Sequence, residues 1–207
     1  INDNVVGDQT PCVTDIMLKE QATDAVTNNE QIRRANLVAA LQADPAICNS
    51  LPDNLLTASL ASPLEWKPEI VLVGNISEEA VVEQSAALDC CVKAIDRFVN
   101  VACRGVRFPC LLGRAGSGKS HVLKLGLAYA LSKGLQCELL SFTSERARKL
   151  GGSHMHLVFP FGVNHSRVSF THDLVASCMA SLDKDQMKMS MLKRTDVFIF
   201  EELGLLS

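Results

Sequence analysis

The densest chemistry in the chain lies in Gly113-Arg114-Ala115-Gly116-Ser117-Gly118-Lys119-Ser120. This stretch fits G-x-x-x-x-G-K-[ST] at every fixed position, a pattern that cradles phosphate. Its glycines let the backbone fold into a nest whose N–H groups converge on phosphate oxygens. Lys119 brings a positive charge to the outer phosphates, and the Ser120 hydroxyl is a ligand for Mg²⁺. A helix opening near Lys119 adds the positive end of its dipole. The cofactors this chemistry suits are ATP and Mg²⁺, cradled by Gly113, Ala115, Gly116, Ser117, Gly118, Lys119 and Ser120. The plainer reading of the same residues is a Gly-rich turn between strand and helix.

A second cluster stands far beyond the loop, where the apolar run Val197-Phe198-Ile199-Phe200 ends in Glu201 and Glu202. Acidic side chains at the carboxyl end of a parallel strand face the crevice where ligands bind. Glu201 is placed to hold Mg²⁺ through its water shell, and Glu202 to orient or deprotonate an attacking water. The bland alternative is a solvated acidic pair at a strand end.

These groups need elements to hold them. Residues 106–112 read as a short buried strand entering the loop, with Pro109 limiting its paired part. The pattern predicts a helix over 121–133, a strand over 136–142 and a short basic helix over 144–150, which Gly151-Gly152 breaks. Residues 154–168 are mixed and loop-rich, and helices follow over 171–180 and 183–194. This alternation of strand and helix predicts a parallel sheet.

Upstream, 77–104 is the clearest helix, with Ser77 as cap and Glu78 and Glu79 in its first turn. Val81, Ser85, Leu88, Val92, Ile95 and Val99 form its core-facing stripe, and Gln84 lies off it. A helix over 28–44 has capping-box spacing at Asn28 and Gln31, a stripe of Ile32, Ala35, Val38 and Ala39, and Pro45 to end it. Residues 1–12 read as extended or disordered, 47–68 as an irregular connection with room for one short helix, and 69–74 as a strand.

Composition sets the bounds. With 207 residues, 47% hydrophobic and 21% charged, the chain reads as a globular protein with one core or one core plus an appendage. No apolar run approaches a membrane span, so no membrane partner is expected. A net charge of −3 leaves any nucleic-acid contact to a local patch. Eight cysteines with no C-x-x-C pair read as reduced, mostly buried thiols, and so as an intracellular, reducing compartment. The chain opens on Ile1 and stops soon after its last strand-like run, which reads as a piece of something longer.

The stretch from Thr143 to Phe159 resembles a segment of Pif-like superfamily-one DNA helicases that runs T-x-x-A, then G-G, then I-H-x-x-F. The phosphate loop of those enzymes, G-x-A-G-T/S-G-K-S/T, is similar to Gly113–Ser120, Ala115 and Gly116 included. Their acidic motif resembles Glu201-Glu202-Leu203-Gly204-Leu205-Leu206-Ser207, with Glu201 standing where the family has Asp. Glu83-Gln84 is similar to the motif whose Gln contacts adenine. His154-Met155-His156 departs from the usual Thr-Ile-His.

The resemblance covers roughly residues 77–207. It implies ATP hydrolysis coupled to movement on single-stranded DNA, in a nuclear setting of DNA repair, recombination or telomere maintenance. It also implies DNA contacts from Thr143, His156 and Phe159, with Arg146, Arg148 and Lys149 near the phosphates. An aromatic ring stacks on a base, and a basic helix follows the backbone. Equally, Phe159 and Phe161 read as core, His156 as a satisfied loop histidine, and the basic residues as a solvated face. The family's second helicase lobe, with the arginine that completes its ATP site, is missing from this chain.

The fold expected is α/β: a P-loop NTPase with an incomplete RecA-like three-layer parallel sheet over 77–207, and a mostly helical appendage of unnamed role over 1–76. The function expected is that of an ATP-dependent DNA helicase motor fragment. Two alternatives stand beside it, a P-loop ATPase acting on a target other than DNA and a non-catalytic nucleotide-binding remnant.

Overall fold

The computed structural model describes residues 13–71, 77–100, 109–160 and 171–202. These form a mixed α/β fold with seven α-helices and one small three-stranded sheet, all of whose pairings are parallel. The sheet sits around β1 (Cys137–Ser141), which is buried along its whole length. The two-residue β2 (Ser153–His154) lies on one side and β3 (Val197–Glu201) on the other. Cys137 pairs with Val197 and Ser141 with Glu201, so the carboxyl ends of β1 and β3 are level. Parallel neighbours need crossover connections, and helices supply them here.

Helix α3 (Lys119–Ser132) is the spine. Val122 is buried, and so is everything from Leu125 to Ser132. The helix is enclosed because α1 (Val13–Gln42), α2 (Glu78–Asn100) and β1 all pack around it. Gly126 lets α2 come close, since a Cβ there would stand 3.5 Å from Cys91. At its end, Gly134 turns the chain with φ +78, and a side chain there would collide with the backbone of Ser59.

Helix α1 departs most from expectation. It begins at Val13, so Asn28 and Gln31 lie inside it and cap nothing. Residues 13–27 contain neither Gly nor Pro, and a helix already running has no reason to restart at a capping box. Its buried face is also rotated from the expected stripe: Val26, Glu30, Arg34, Leu37, Val38 and Leu41 are inside, while Ile32 and Ala39 are exposed. Two charged residues on the inner face explain the error. Glu30 meets Arg194 at 2.9 Å, and the Arg34 guanidinium donates to the carbonyls of Leu55, Leu56, Leu131 and Leu135.

Leu37, Val38, Leu41, Ile47 and Leu55 join Leu88, Val92, Leu125, Leu131 and Leu139 in one apolar cluster. At roughly 1.5–3 kcal/mol for each buried aliphatic side chain, this cluster is the main adhesive between the first segment and the sheet. Between α1 and α2 the chain is irregular, with one short 3₁₀ turn at Cys48–Ser50. No strand forms over 69–71, and the rest of that expected strand lies outside the described residues.

Asp44, just past α1, accepts the Lys124 ammonium and the Ala46 N–H. Burial alone would raise its pKa, but these partners outweigh it and hold the carboxyl below its usual value. A lowered folded pKa contributes stability above the unfolded pKa of about 4 that disappears as pH falls through the folded value. Asp44→Asn is therefore expected to lower the urea midpoint at pH 6 and to match the parent near pH 2. An equal deficit at both pH values would remove the charge from the explanation.

The remaining helices are α4 (Ser144–Lys149), α5 (Met155–Val158), α6 (Thr171–Leu182) and α7 (Gln186–Arg194). Helix α5 forms within the stretch expected to be loop-rich. Helix α7 starts three residues late because the Asp185 side chain caps it, accepting from the Lys188 N–H at 3.0 Å.

Candidate functional site

The expected strand ahead of the phosphate loop does not form over 109–112, and its remainder lies outside the described residues. Pro109 has no N–H for a ladder, and Leu112 is 88% exposed; Leu111 alone of these four is partly buried, against the core. The loop itself is a turn over Ala115-Gly116 leading into α3, largely open to solvent. Gly116 and Gly118 hold φ of +79 and +83, a backbone region that side chains resist. Gly118 has a second reason to be glycine: a Cβ there would lie 2.3 Å from the Gln84 amide nitrogen.

Lys119 folds back across the loop. Its Nζ donates to the Gly113 carbonyl at 2.8 Å, the Arg114 carbonyl at 2.7 Å and the Ser117 hydroxyl at 3.4 Å. The ammonium is thus held against the loop by two of its carbonyls and a hydroxyl, all exposed.

Gln84 corrects the sequence reading of α2. It lies on the buried stripe with Leu88, Val92 and Ile95, whereas Val99 at the other end is exposed. Its Nε2 donates to the Ser117 carbonyl at 3.2 Å. The amide that the resemblance points at adenine is here turned to the loop backbone, which it braces from below.

The level ends of β1 and β3 bring the acidic pair to the mouth of α3. The Ser120 hydroxyl donates to Glu201 Oε1 at 3.4 Å, across 81 residues of sequence. Glu201 is buried, and its Oε2 has no hydrogen-bond partner among the described residues. Glu202 has φ 60, the one non-glycine residue with positive φ among those described. Such backbone costs on the order of 1–3 kcal/mol.

Arg146 completes the constellation. The chain leaves β1 at Ser141, and Thr143 caps α4 by accepting the Arg146 N–H at 3.4 Å. That places the Arg146 side chain beside the end of β3, where it meets Glu201 Oε1 at 3.0 Å and Glu202 Oε1 at 3.1 Å. The sequence reading put Arg146 on a DNA-facing basic surface and missed this bridge. One signal was present: the family pattern T-x-x-A has alanine three residues after the threonine, where this chain has Arg146.

An orphaned carboxylate oxygen beside a serine hydroxyl is an all-oxygen donor set that fits Mg²⁺. No group of three or more His, Cys, Asp or Glu among the described residues is arranged to hold a metal. A Mg²⁺ site of the usual kind needs only one or two protein ligands, the nucleotide's phosphates supplying others.

Each of the three DNA-contact candidates has a neighbour within the protein. The Thr143 hydroxyl serves as the α4 cap. His156 is exposed, its ring 5.3 Å from that of His154. Phe159 is half-buried, with its ring 6.2 Å from Phe198. Phe161 lies outside the described residues. Arg148 and Lys149 are exposed, and Lys149 pairs with Glu145 at 3.0 Å.

The six described cysteines are free thiols; Cys137 and Cys178 are buried and Cys90 and Cys110 exposed. Burial pushes the Cys137 thiol up to about 12. Among the described residues no helix is long and apolar enough to cross a membrane. No family model matches the chain, and no curated protein or solved structure matches it either.

Proposed function

We propose that this chain binds Mg-ATP and is the nucleotide-binding lobe of a motor that couples ATP hydrolysis to movement on single-stranded DNA. The observation that carries the nucleotide half is the meeting of Ser120 with the buried Glu201 at the amino end of α3, beside a loop whose lysine points inward. Two sequence-distant motifs converge where the reaction needs them. Lys119 and the loop N–H groups hold the triphosphate, and Ser120 with Glu201 holds Mg²⁺, which neutralises phosphate charge when bound. Glu202, on its strained turn, orients the water. The DNA half rests on the resemblance of Thr143–Phe159 and on the exposed basic side chains of α4.

A second reading is favoured by a specific observation. Thr143 and Arg146 are engaged within the protein and the Phe159 ring lies tilted against Phe198, which suits a P-loop ATPase whose target is not DNA.

Titration of the purified chain with a fluorescent ADP and Mg²⁺, then hydrolysis assays with and without a single-stranded oligonucleotide, separate these readings. Saturable nucleotide binding with DNA-stimulated turnover is the expected result. Binding with turnover indifferent to DNA would move the assignment to the second reading. Failure to bind nucleotide would end both.

A further inference from the structure

The guanidinium of Arg146 stands in the middle of the acidic pair. It spans Glu201 Oε1 at 3.0 Å and Glu202 Oε1 at 3.1 Å, and the first of these oxygens is also the one that accepts from Ser120. The chemistry of that position is cationic: two carboxylates at one strand end repel each other, and a positive charge between them relieves the repulsion. A divalent metal ion and a guanidinium are rivals for the same oxygens. We propose that Arg146 is a removable plug, an internal cation that holds the metal position until Mg²⁺ arrives with nucleotide and displaces it. This rests on the nucleotide-site reading above.

Three features of the structure make the plug removable. The Arg146 side chain is 47% exposed, so its pairing is screened by solvent and weaker than a buried pair. Its backbone is fixed independently, by the Thr143 cap at the start of α4, so the side chain can swing without unwinding the helix. Glu201 keeps one buried oxygen without a hydrogen-bond partner among the described residues, so the plug leaves the carboxylate half-satisfied and the site still favours a harder, closer cation. Arg146 holds Glu202 as well, and its departure frees both carboxylates in one movement.

The plug makes a prediction that a merely structural ion pair does not. With Arg146 in place, Mg²⁺ must compete for Glu201, and the Mg²⁺ concentration that half-saturates nucleotide binding is raised. Arg146→Met keeps the stem and removes the charge. It is expected to lower that half-saturating Mg²⁺ concentration by roughly 2- to 5-fold, the size of one displaced, partly exposed ion pair. Nucleotide affinity measured in EDTA should change little. Arg146→Lys, one point charge that cannot fork to both carboxylates, should fall between parent and Met. Lys184→Ala, which removes an exposed cation in the turn between α6 and α7, should leave the midpoint where it was. Thermal melts of each variant establish that it is folded.

An unchanged Mg²⁺ midpoint in folded Arg146→Met and Arg146→Lys, with the parent binding nucleotide, would overturn the plug and leave the nucleotide site standing. Weaker nucleotide binding in Arg146→Met would overturn it too, because Arg146 would then be a phosphate ligand. Should neither Met nor Lys fold, an unchanged midpoint in Arg146→Gln would decide against it in the same way. If the parent and all variants bind no nucleotide, the functional reading and the plug fall together.

Discussion

Lys119→Ala is expected to weaken Mg-ATP binding by roughly 10- to 150-fold while leaving the fold intact. The basis is a charge-assisted hydrogen bond from the ammonium to phosphate, worth about 1.5–3 kcal/mol. Lys119 now donates to Gly113, Arg114 and Ser117, all on the exposed face of the loop. Solvent can take over those acceptors when the ammonium is removed, so the fold loses little. A melting temperature within about 2 °C of the parent is expected for such a substitution. Calorimetric titration and a thermal melt on the same preparation check both halves. Unchanged nucleotide affinity in a folded Lys119→Ala protein would remove the phosphate site from the loop. A large drop in melting temperature would instead mean that Lys119 holds the loop together.

The parts of the molecule that sequence made legible are those specified by local pattern. The glycine turn at 115–116, the helix after it, the buried strand at 137–141 and the strand ending in Glu201 each carry their signal within a few residues. The parallel pairing followed from their alternation with helices. Contacts between distant polar residues were not legible. A hydrophobicity count on α1 selected Ile32 and Ala39 for the core, because it cannot know that Arg34 finds four carbonyls and Glu30 an arginine. Glu138 is the same case within β1. It is fully buried against Arg33 of α1, and burial raises its pKa although Ser153 and Arg33 pull the other way.

The candidate site divides along the same line. Lys119, Ser120, Glu201 and Glu202 were named from their motifs, and the structure brings Ser120 and the two acids to one place around Arg146. Gln84 was assigned to the wrong face of its helix, since an amide on a leucine stripe reads as a break in it. A short basic helix gives no hint of which base turns inward, so only the place of Arg146 at the alanine of T-x-x-A set it apart.

Arg34 carries the largest stability effect expected of a single side chain here. Its guanidinium donates at 2.8 Å to Leu55, 3.1 Å to Leu56, 2.6 Å to Leu131 and 3.3 Å to Leu135. Four carbonyls from two separate segments converge on one planar donor, a geometry that only a forked cation satisfies. Burial lowers its pKa, yet the group stays charged at any ordinary pH. Leu131 keeps another donor in the Gly134 N–H, so truncation does not orphan all four acceptors. Counting about 1–3 kcal/mol for leaving a buried acceptor unmade, Arg34→Met should cost roughly 3 kcal/mol, a large part of a typical domain's 5–15. That corresponds to a melting temperature lower by about 6–12 °C for a chain of this size. Arg34→Ala should lose more, since the apolar stem is also removed. Arg34→Lys should recover only a fraction, because an ammonium reaches fewer of the carbonyls at once. Denaturant midpoints for the three variants give the order directly. Parent-like stability in Arg34→Lys would show that charge alone, and not the fork, ties α1 to the turn after α3. Parent-like stability in Arg34→Met would show that the apolar cluster holds α1 without it.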